Sequence, residues 1–262
     1  MAVRMPPKFI IPEKFSEKFE KLSFSSDYES ADSMSIPSTP STPCSPLADL
    51  FDIEVITEKD RDDVLQFLQT FFFKDEPLNS AIGLITDENP RCLDLETYSL
   101  KELNNGLNLK AVMDGKLIGV CLNGMLHRGF VDDIDINEKV DDPKFTKIVR
   151  LLNFVAKDSD VFQHFPDCDK AMYVKILSVD TSLRGKGIAK DFLARTRDMA
   201  RENGCGFMTV DCSSHFTAMA LKKLNFNKVY SMDYADYKVD GEVVFNPASP
   251  HKAITVYTQR IQ

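Results

Sequence analysis

The sequence lacks any run of apolar residues that could cross a bilayer, which takes about 18 or more in succession. Its first residues also lack the continuous apolar segment of a secretory signal peptide. Six cysteines are present, but none form a Cys-x-x-Cys pair, and they lie scattered through apolar stretches. We therefore predict a cytoplasmic protein that has no membrane partner and keeps its cysteines as free thiols.

An excess of basic residues is also missing, because the net charge is −8 at pH 7. A nucleic-acid-binding face needs a concentrated basic patch, so nucleic acid is not expected as a partner. Glycine is absent from the first fifty residues, which hold seven of the 13 prolines and ten serines. This composition cannot propagate a helix or a sheet. It predicts a disordered Ser/Pro-rich tail over residues 1–48 and a folded domain over residues 49–262.

The folded part shows alternating strand and helix patterns from residue 51 onward. Apolar residues within residues 64–72 recur at helical spacing, which predicts an amphipathic helix. Two apolar runs flank Asp114 and Gly115, a pair typical of a tight hairpin turn. The stretch 228–237 reads as a late strand. The complete order is β-α-α-β-β-α-β-α-β-α-β-β, which predicts a mixed α/β fold.

The stretch "SVDTSLRGKGIAKDF", residues 178–192, places a glycine turn between a strand pattern and a helix pattern. Gly185 and Gly187 permit backbone angles and close approaches that other residues do not. The helix that follows presents free N–H groups, and Arg184 and Lys186 add positive charge. These features predict a phosphate-binding turn. The glycine spacing fits neither a Walker loop nor a dinucleotide-binding fingerprint.

The turn resembles the acetyl-CoA motif of the GNAT-type N-acetyltransferases, whose pattern is Arg/Gln-x-x-Gly-x-Gly/Ala. Arg184, Gly187 and Ala189 match it. Longer stretches resemble the insect arylalkylamine N-acetyltransferases, and among them the dopamine N-acetyltransferase branch. These stretches are "TFFFKDEPLN", "ETYSL", "KILSVDTSLRGKGIA", "CSSHFTA" and "DYADYKVDGEVVFNPASPH". The resemblance covers roughly residues 51–262.

The resemblance implies the GNAT fold, a central mixed sheet of about seven strands flanked by helices. It also implies that the turn holds the pyrophosphate of acetyl-CoA. The strand before the turn is then expected to splay from its neighbour, leaving backbone groups of Leu177 and Val179 to pair with the pantetheine arm. The complete set of expected cofactor-binding residues is Leu177, Ser178, Val179, Arg184, Gly185, Lys186, Gly187, Ile188, Ala189, Lys190, Ser214 and His215. His127 and His164 lack metal-ligand spacing with other candidates, so no metal is expected.

Glu76, in "KDEPLN", is the expected general base. Acetyl transfer needs a neutral amine, whereas an alkylammonium has a pKa of about 10.4. Burial after an apolar helix would raise the pKa of Glu76 and suit this role. Spacing alone favours a surface glutamate in a charged corner, and it is the resemblance that implies a general base, acting through water. Asp75 is expected to attract the substrate ammonium or shape its pocket, with Pro77 beside it.

Ser213 and Thr217, in "CSSHFTA", lie four residues apart, which predicts one face in the first turn of a helix. The resemblance implies two hydroxyl groups there that complete a relay with Glu76, although Thr217 stands where a serine is expected. Helix capping by Ser213 or Ser214 is the other interpretation. Leu221 occupies the position at which many GNAT enzymes carry a tyrosine that protonates the leaving thiolate.

Tyr98 and His251 complete the expected substrate site. The resemblance places Tyr98 in the wall of the arylamine pocket and His251 near the active site. Each has a simpler interpretation, as an aromatic residue on a helix surface and as a residue at a strand start.

The resulting prediction is an enzyme that transfers acetyl from acetyl-CoA to dopamine, serotonin, tyramine, octopamine or tryptamine in a ternary complex. Such activity would serve monoamine inactivation, cuticle sclerotisation or a melatonin precursor step. One alternative is transfer to polyamines or agmatine, or from longer acyl donors. Another is a CoA-binding protein without transfer activity. We expect a monomer.

Overall fold

The computed structural model describes residues 50–129 and 140–261. The predicted tail, residues 1–48, lies outside the described residues. Within the described ranges no helix is both long and apolar enough to span a membrane.

Within residues 50–129 and 140–261, seven of nine strands form one sheet. Their bounds are β1 Asp52–Val55, β2 Leu109–Met113, β3 Lys116–His127, β4 Lys170–Val179, β5 Phe207–Cys212, β6 Asn227–Asp233, β7 Lys238–Val239, β8 Glu242–Val243 and β9 Ala253–Arg260. The sheet order is β1-β2-β3-β4-β5-β9-β6, and β7 pairs with β8 in a separate ribbon. Only β4 and β5 pair in parallel among these ladders. The expected mixed sheet of about seven strands is therefore confirmed.

In the described part of the chain, six α-helices flank the sheet. Their bounds are α1 Arg61–Phe71, α2 Pro77–Ala81, α3 Leu93–Leu100, α4 Pro143–Ser159, α5 Ile188–Glu202 and α6 His215–Lys223. The helical spacing within residues 64–72 is confirmed by α1, which buries Val64, Phe67 and Leu68. The hairpin turn is confirmed as well, because Asp114 and Gly115 both have positive φ.

Two sequence predictions were wrong in detail. The strand predicted over 228–237 ends at Asp233, where a short 3-10 helix, Tyr234–Asp236, begins. The helix predicted to include Ser213 begins instead at His215, so Ser213 lies in the connection after β5.

The sheet separates two apolar cores. One core contains buried side chains of α1, α3 and α4, including Phe67, Leu95 and Phe145. The other contains buried side chains of α5 and α6, including Phe192 and Leu221. The layers are therefore helices, sheet and helices, so each face of the sheet has its own set of helices.

β4 and β5 separate towards their carboxyl ends. Their ladder pairs Ala171–Val174 with Phe207–Val210. β4 nevertheless continues to Val179 and β5 to Cys212. The gap that opens after Val174 lies between the glycine turn that follows β4 and the connection that follows β5.

Candidate active site

The glycine turn after β4 leads directly into α5. Gly185 has φ +80° and Gly187 has φ +98°, in the left-handed region that favours glycine. Gly187 is the N-cap of α5, so the free N–H groups of a 15-residue helix start here. This geometry is suited to binding an anion such as a pyrophosphate.

Arg184 contacts residues from two parts of the chain. Its guanidinium donates to the Val179 carbonyl at 3.2 Å, to the Phe71 carbonyl at 3.2 Å and to the Asp75 carboxylate at 3.0 Å. Its side chain and that of Asp75 are each about half exposed. The structure thus brings an expected cofactor residue, Arg184, against an expected substrate residue, Asp75.

The residues around the splayed strands fit an acyl-CoA. The β4 backbone beyond Val174 has no partner strand on its β5 side among the described ladders. The Ser178 hydroxyl is buried and has no hydrogen-bond partner within the described part of the chain. The Val179 and Ile188 side chains are buried in the core, so only their backbone groups are available to a ligand. The chemistry of the site therefore suits a pantetheine amide along β4 and a phosphate at the turn.

Glu76 is the N-cap of α2, and its carboxylate accepts from the Asn79 amide at 2.7 Å. Pro77 occupies the first helical position, where its missing N–H costs nothing. Burial raises the pKa of Glu76, while hydrogen bonds from the Ser213 hydroxyl and from the Asn79 and Leu78 amides oppose this. A partly buried carboxylate with a raised pKa is suited to accept a proton at neutral pH.

Ser213 links Glu76 to Tyr234, a residue that the sequence analysis did not assign to the site. The Ser213 hydroxyl lies near the Glu76 carboxylate and lowers its pKa, and the Tyr234 hydroxyl donates to the Ser213 carbonyl at 2.9 Å. Tyr234 is buried, and its pKa is raised by that burial and by the negative charge of Glu76. The stretch "DYADY" that contains Tyr234 contributed to the family resemblance. The proximity of Tyr234 to Glu76, however, is visible only in the fold.

The start of α6 holds the remaining hydroxyl and histidine candidates. Ser214 is the N-cap, and its hydroxyl accepts from the Phe216 amide at 3.2 Å. The His215 amide donates to Nδ1 of His251 at 3.1 Å, which ties the segment before β9 to α6. Thr217 is half-buried, and among the described residues no hydrogen bond joins its hydroxyl to Glu76.

A cavity of about 310 Å³ lies between the sheet, α3 and α4. Tyr98 lines it, as expected, together with apolar side chains that include Phe145 and Leu152. Lys175, from β4, also lines it, with Nζ 3.7 Å from the centre of the Tyr98 ring. Burial lowers the pKa of Lys175 to about 8. Glu76 is not among the described lining residues.

The cavity also exposes polar groups of β4 and β5 that the sequence analysis missed. The Tyr173 hydroxyl donates to the Asp211 carboxylate at 3.2 Å. Burial raises the pKa of Asp211 to about 6, although this hydrogen bond opposes the shift. Alternation along the two strands was the available signal, since Tyr173 and Lys175 share one strand face, as do Thr209 and Asp211.

Among the described residues, no group of three or more His, Cys, Asp or Glu side chains is placed to hold a metal ion. Five cysteines, at 92, 121, 168, 205 and 212, are buried free thiols.

Comparison with known proteins places this geometry in a family. No family model matches the sequence. The fold is similar to that of a solved arylalkylamine N-acetyltransferase 2 from Aedes aegypti, with 30% identity and a TM-score of 0.74, over 81% of this chain and 99% of that one. A mosquito arylalkylamine N-acetyltransferase like 5b is 23% identical, with a TM-score of 0.72 over 80% and 99% of the two chains. A Drosophila melanogaster polyamine N-acetyltransferase that forms N-acetylagmatine is 20% identical, with a TM-score of 0.71 over the same shares. The chain therefore belongs to the insect arylalkylamine N-acetyltransferases of the GNAT superfamily.

Proposed function

We propose that this N-acetyltransferase acetylates the primary amine of arylalkylamines such as dopamine, serotonin, tyramine, octopamine and tryptamine. Glu76 acts as the general base. The observation that carries the proposal is the partly buried Glu76 carboxylate, whose pKa burial raises and the nearby Ser213 hydroxyl, just after β5, lowers. The glycine turn lies at the end of β4, the other strand of the β4–β5 gap.

Acetyl-CoA supplies the thioester when it is bound. The substrate enters as an ammonium with a pKa of about 10.4, so it must lose a proton before its nitrogen has a free electron pair. Glu76 takes that proton, directly or through the Ser213 hydroxyl and water. The amine nitrogen then bonds to the acetyl carbon, the carbon–sulfur bond breaks, and the thiolate of CoA leaves. The nitrogen loses its second proton as the amide forms, and the departing thiolate takes up a proton to become the free thiol. Tyr234 acts as a positioning residue, because its hydroxyl fixes the backbone at Ser213.

The cavity walls support an aromatic amine as the substrate. Tyr98 and Phe145 have ring centres 5.8 Å apart, and Leu152 adds aliphatic surface. Flat, apolar walls of this kind pack against aromatic rings.

Polyamines and agmatine form the second candidate class. Asp94, Glu102 and Asp211 line the cavity, and carboxylates of this kind would attract a second positive charge. The ammonium of Lys175 lies in the same cavity and repels such a charge. Because of this repulsion we rank arylalkylamines first.

The test is release of free thiol from acetyl-CoA with each amine in turn. We expect dopamine and tyramine to give much higher kcat/KM than spermidine and agmatine. Faster turnover of spermidine or agmatine would replace the arylalkylamine proposal with the second candidate. Tight binding of CoA with no amine-dependent thiol release would instead indicate a CoA-binding protein without transfer activity.

A further inference from the structure

The floor of the cavity, which is the part lined by Thr209 and Asp211 of β5, contains a buried hydroxyl that has no role in the proposed reaction. Thr209 of β5 is 2% exposed, and its Oγ1 has no hydrogen-bond partner among the described residues. It lines the cavity beside Asp211 and Tyr173. A buried polar atom without a partner costs about 1–3 kcal/mol, so its presence next to a cavity points to a ligand that supplies the partner.

The direction of β5 connects this floor to the proposed base. Alternate side chains of a strand share one face, so Thr209 and Asp211 point to the same side. Ser213, the first residue after β5, lies near Glu76 and lowers its pKa. Two residues of chain span at most about 7 Å, so the Asp211 backbone lies within that distance of Ser213. An amine held at Ser213 and Glu76 therefore directs its ethyl chain and ring back along β5 towards Asp211 and Thr209.

We infer that Thr209, Asp211 and Tyr173 form a recognition site for the ring hydroxyl of phenolic and catechol amines. The inference rests on the proposed function and narrows its substrate class. The ring hydroxyl donates to the Asp211 carboxylate and accepts from the Thr209 hydroxyl. Tyr173 holds the Asp211 carboxylate in place through the bond at 3.2 Å. The enzyme is therefore selective for hydroxylated rings.

The site is selective because a substrate without a ring hydroxyl leaves buried polar groups without hydrogen-bond partners. An amine with an unsubstituted ring, such as phenethylamine, displaces water from the floor and leaves the Thr209 and Asp211 oxygens without partners. Sites built to hydrogen-bond a substrate hydroxyl reject the analogue that lacks it for this reason. A distal ammonium is a poorer occupant, because Lys175 lies above the Tyr98 ring in the same cavity.

The experiment compares tyramine with phenethylamine, which differ by one ring hydroxyl, in the wild type and in Thr209→Val. We expect the wild type to prefer tyramine by at least about tenfold in kcat/KM. Thr209→Val should lower kcat/KM for tyramine by about 5- to 10-fold, the size of one buried hydrogen bond. It should not lower kcat/KM for phenethylamine and should raise it, because the variant removes a hydroxyl that this amine leaves without a partner.

The matched control is Thr258→Val. Thr258 lies directly opposite Thr209 in the β5–β9 ladder, is 1% exposed, and also has a hydroxyl without a partner among the described residues. It is not among the described lining residues of the cavity. This variant should keep the tyramine preference of the wild type.

Each other outcome overturns the inference. Equal kcat/KM for the two amines in the wild type, or equal losses for both in Thr209→Val, would mean that the cavity floor does not recognise the ring hydroxyl of the substrate. Should Thr209→Val fail to fold in a thermal-unfolding assay, Asp211→Asn provides the same comparison. A wild type that turns over neither amine would overturn the proposed function as well, which is distinguishable because the other failures retain turnover.

Discussion

At the scale of single residues, the chemistry of the site depends on the proton affinity of Glu76. Burial raises its pKa. The Ser213 hydroxyl and the backbone amides of Leu78 and Asn79 partly oppose that rise. A base must be ionised at working pH and still accept a proton from an ammonium. At Glu76, desolvation raises the pKa and hydrogen bonding lowers it, so the two effects act in opposite directions on the carboxylate that we propose as the base.

Glu76→Gln should lower kcat for dopamine acetylation by about 100-fold or more, since the amide has the shape of the carboxylate but cannot take a proton. In the wild type only ionised Glu76 is active, so activity rises as pH increases through its pKa. Because that pKa is raised, the acid limb of the kcat/KM profile should lie above the ordinary glutamate value of 4.5. Thiol release across a pH series measures both effects.

The control for that variant is Glu242→Gln, which changes an exposed carboxylate on β8. It should behave like the wild type. Normal acetyl transfer by Glu76→Gln, or an acid limb at or below 4.5, would contradict the role of Glu76 as the base.

The sequence identified Glu76 and Ser213 only through the resemblance, because two distant stretches meet after folding. Tyr234, Lys175, Thr209 and Asp211 were missed for the same physical reason. Each is an ordinary strand or loop residue in the sequence, and its chemistry depends on the burial and neighbours that the fold gives it. Local patterns report which face a residue occupies, but they do not report what lies opposite that face.

At the scale of secondary-structure elements, the ion pair between Arg184 and Asp75 joins the glycine turn before α5 to the segment before α2. Arg184 is an expected ligand of the CoA pyrophosphate, so the Asp75 carboxylate competes for the same guanidinium. Both side chains are about half exposed, and such pairs contribute about 0–1 kcal/mol. The competition is therefore weak enough for a pyrophosphate to displace Asp75.

Asp75→Asn should tighten CoA binding by up to about fivefold, because Arg184 is released from the competing carboxylate. Calorimetric titration with CoA measures this change. The control is Asp198→Asn, which removes a similarly exposed acid paired with Arg201 on α5 and changes the net charge equally. Weaker CoA binding by Asp75→Asn would mean that Asp75 orients Arg184 for the ligand.

Gly206 leads into β5 and fixes how closely this strand approaches the loop before β4. A Cβ atom at Gly206 would lie 2.1 Å from Sγ and 2.7 Å from Cβ of Cys168. Gly206→Ala should therefore lower the free energy of unfolding by about 1–3 kcal/mol through overpacking. Urea denaturation measures this.

Gly124→Ala is the control for that substitution, since its Cβ would meet only the Glu102 carboxylate, at an ordinary 3.7 Å. It should change the free energy of unfolding little. Equal stability of Gly206→Ala and the wild type would show that the loop around Cys168 moves aside without cost.

The order of the long elements could be predicted because each has a clear period. The helix α1 and the hairpin of β2 and β3 follow directly from apolar spacing and from the turn at Asp114 and Gly115. The missed elements are short: α2 has five residues, and β7 and β8 have two each. Such elements depend on local caps and tertiary contacts, as α2 depends on the Glu76 carboxylate, and not on a repeating pattern.

At the scale of the whole molecule, the parallel pair of β4 and β5 explains how one sheet serves two ligands. The pair separates after Val174, with the glycine turn at the end of β4 and the Glu76–Ser213 contact at the end of β5. The cavity opens between the sheet, α3 and α4, beside the core that contains α1. Mixed α/β order alone did not predict this arrangement, since the sheet order places β9 between β5 and β6. Of this strand arrangement, the family resemblance predicted only that the strand before the glycine turn splays from its neighbour.

The position of β1, the first strand of the sheet, predicts that residues 1–48 can be removed without loss of fold or activity. β1 begins at Asp52 and pairs with β2, so a chain that starts at residue 49 keeps every strand of the sheet. The Aedes aegypti relative is covered over 99% of its length by only 81% of this chain, the share that residues 50–262 make up. A protein of that length therefore contains a complete domain of this family.

We expect the shortened chain to unfold within about 2 °C of the full chain, since 1 kcal/mol corresponds to a shift of about 2–4 °C in a domain of this size. Its kcat/KM for dopamine should stay within about twofold, because residues 1–48 are predicted from the sequence to be a tail outside the folded domain, and changes away from packed or catalytic features usually cost less than about 0.5 kcal/mol. Thermal unfolding and thiol release on the two chains measure these values side by side. A tenfold loss of activity at unchanged melting temperature would instead make the first 48 residues part of the catalytic domain's function, and a lower melting temperature would make them part of its fold.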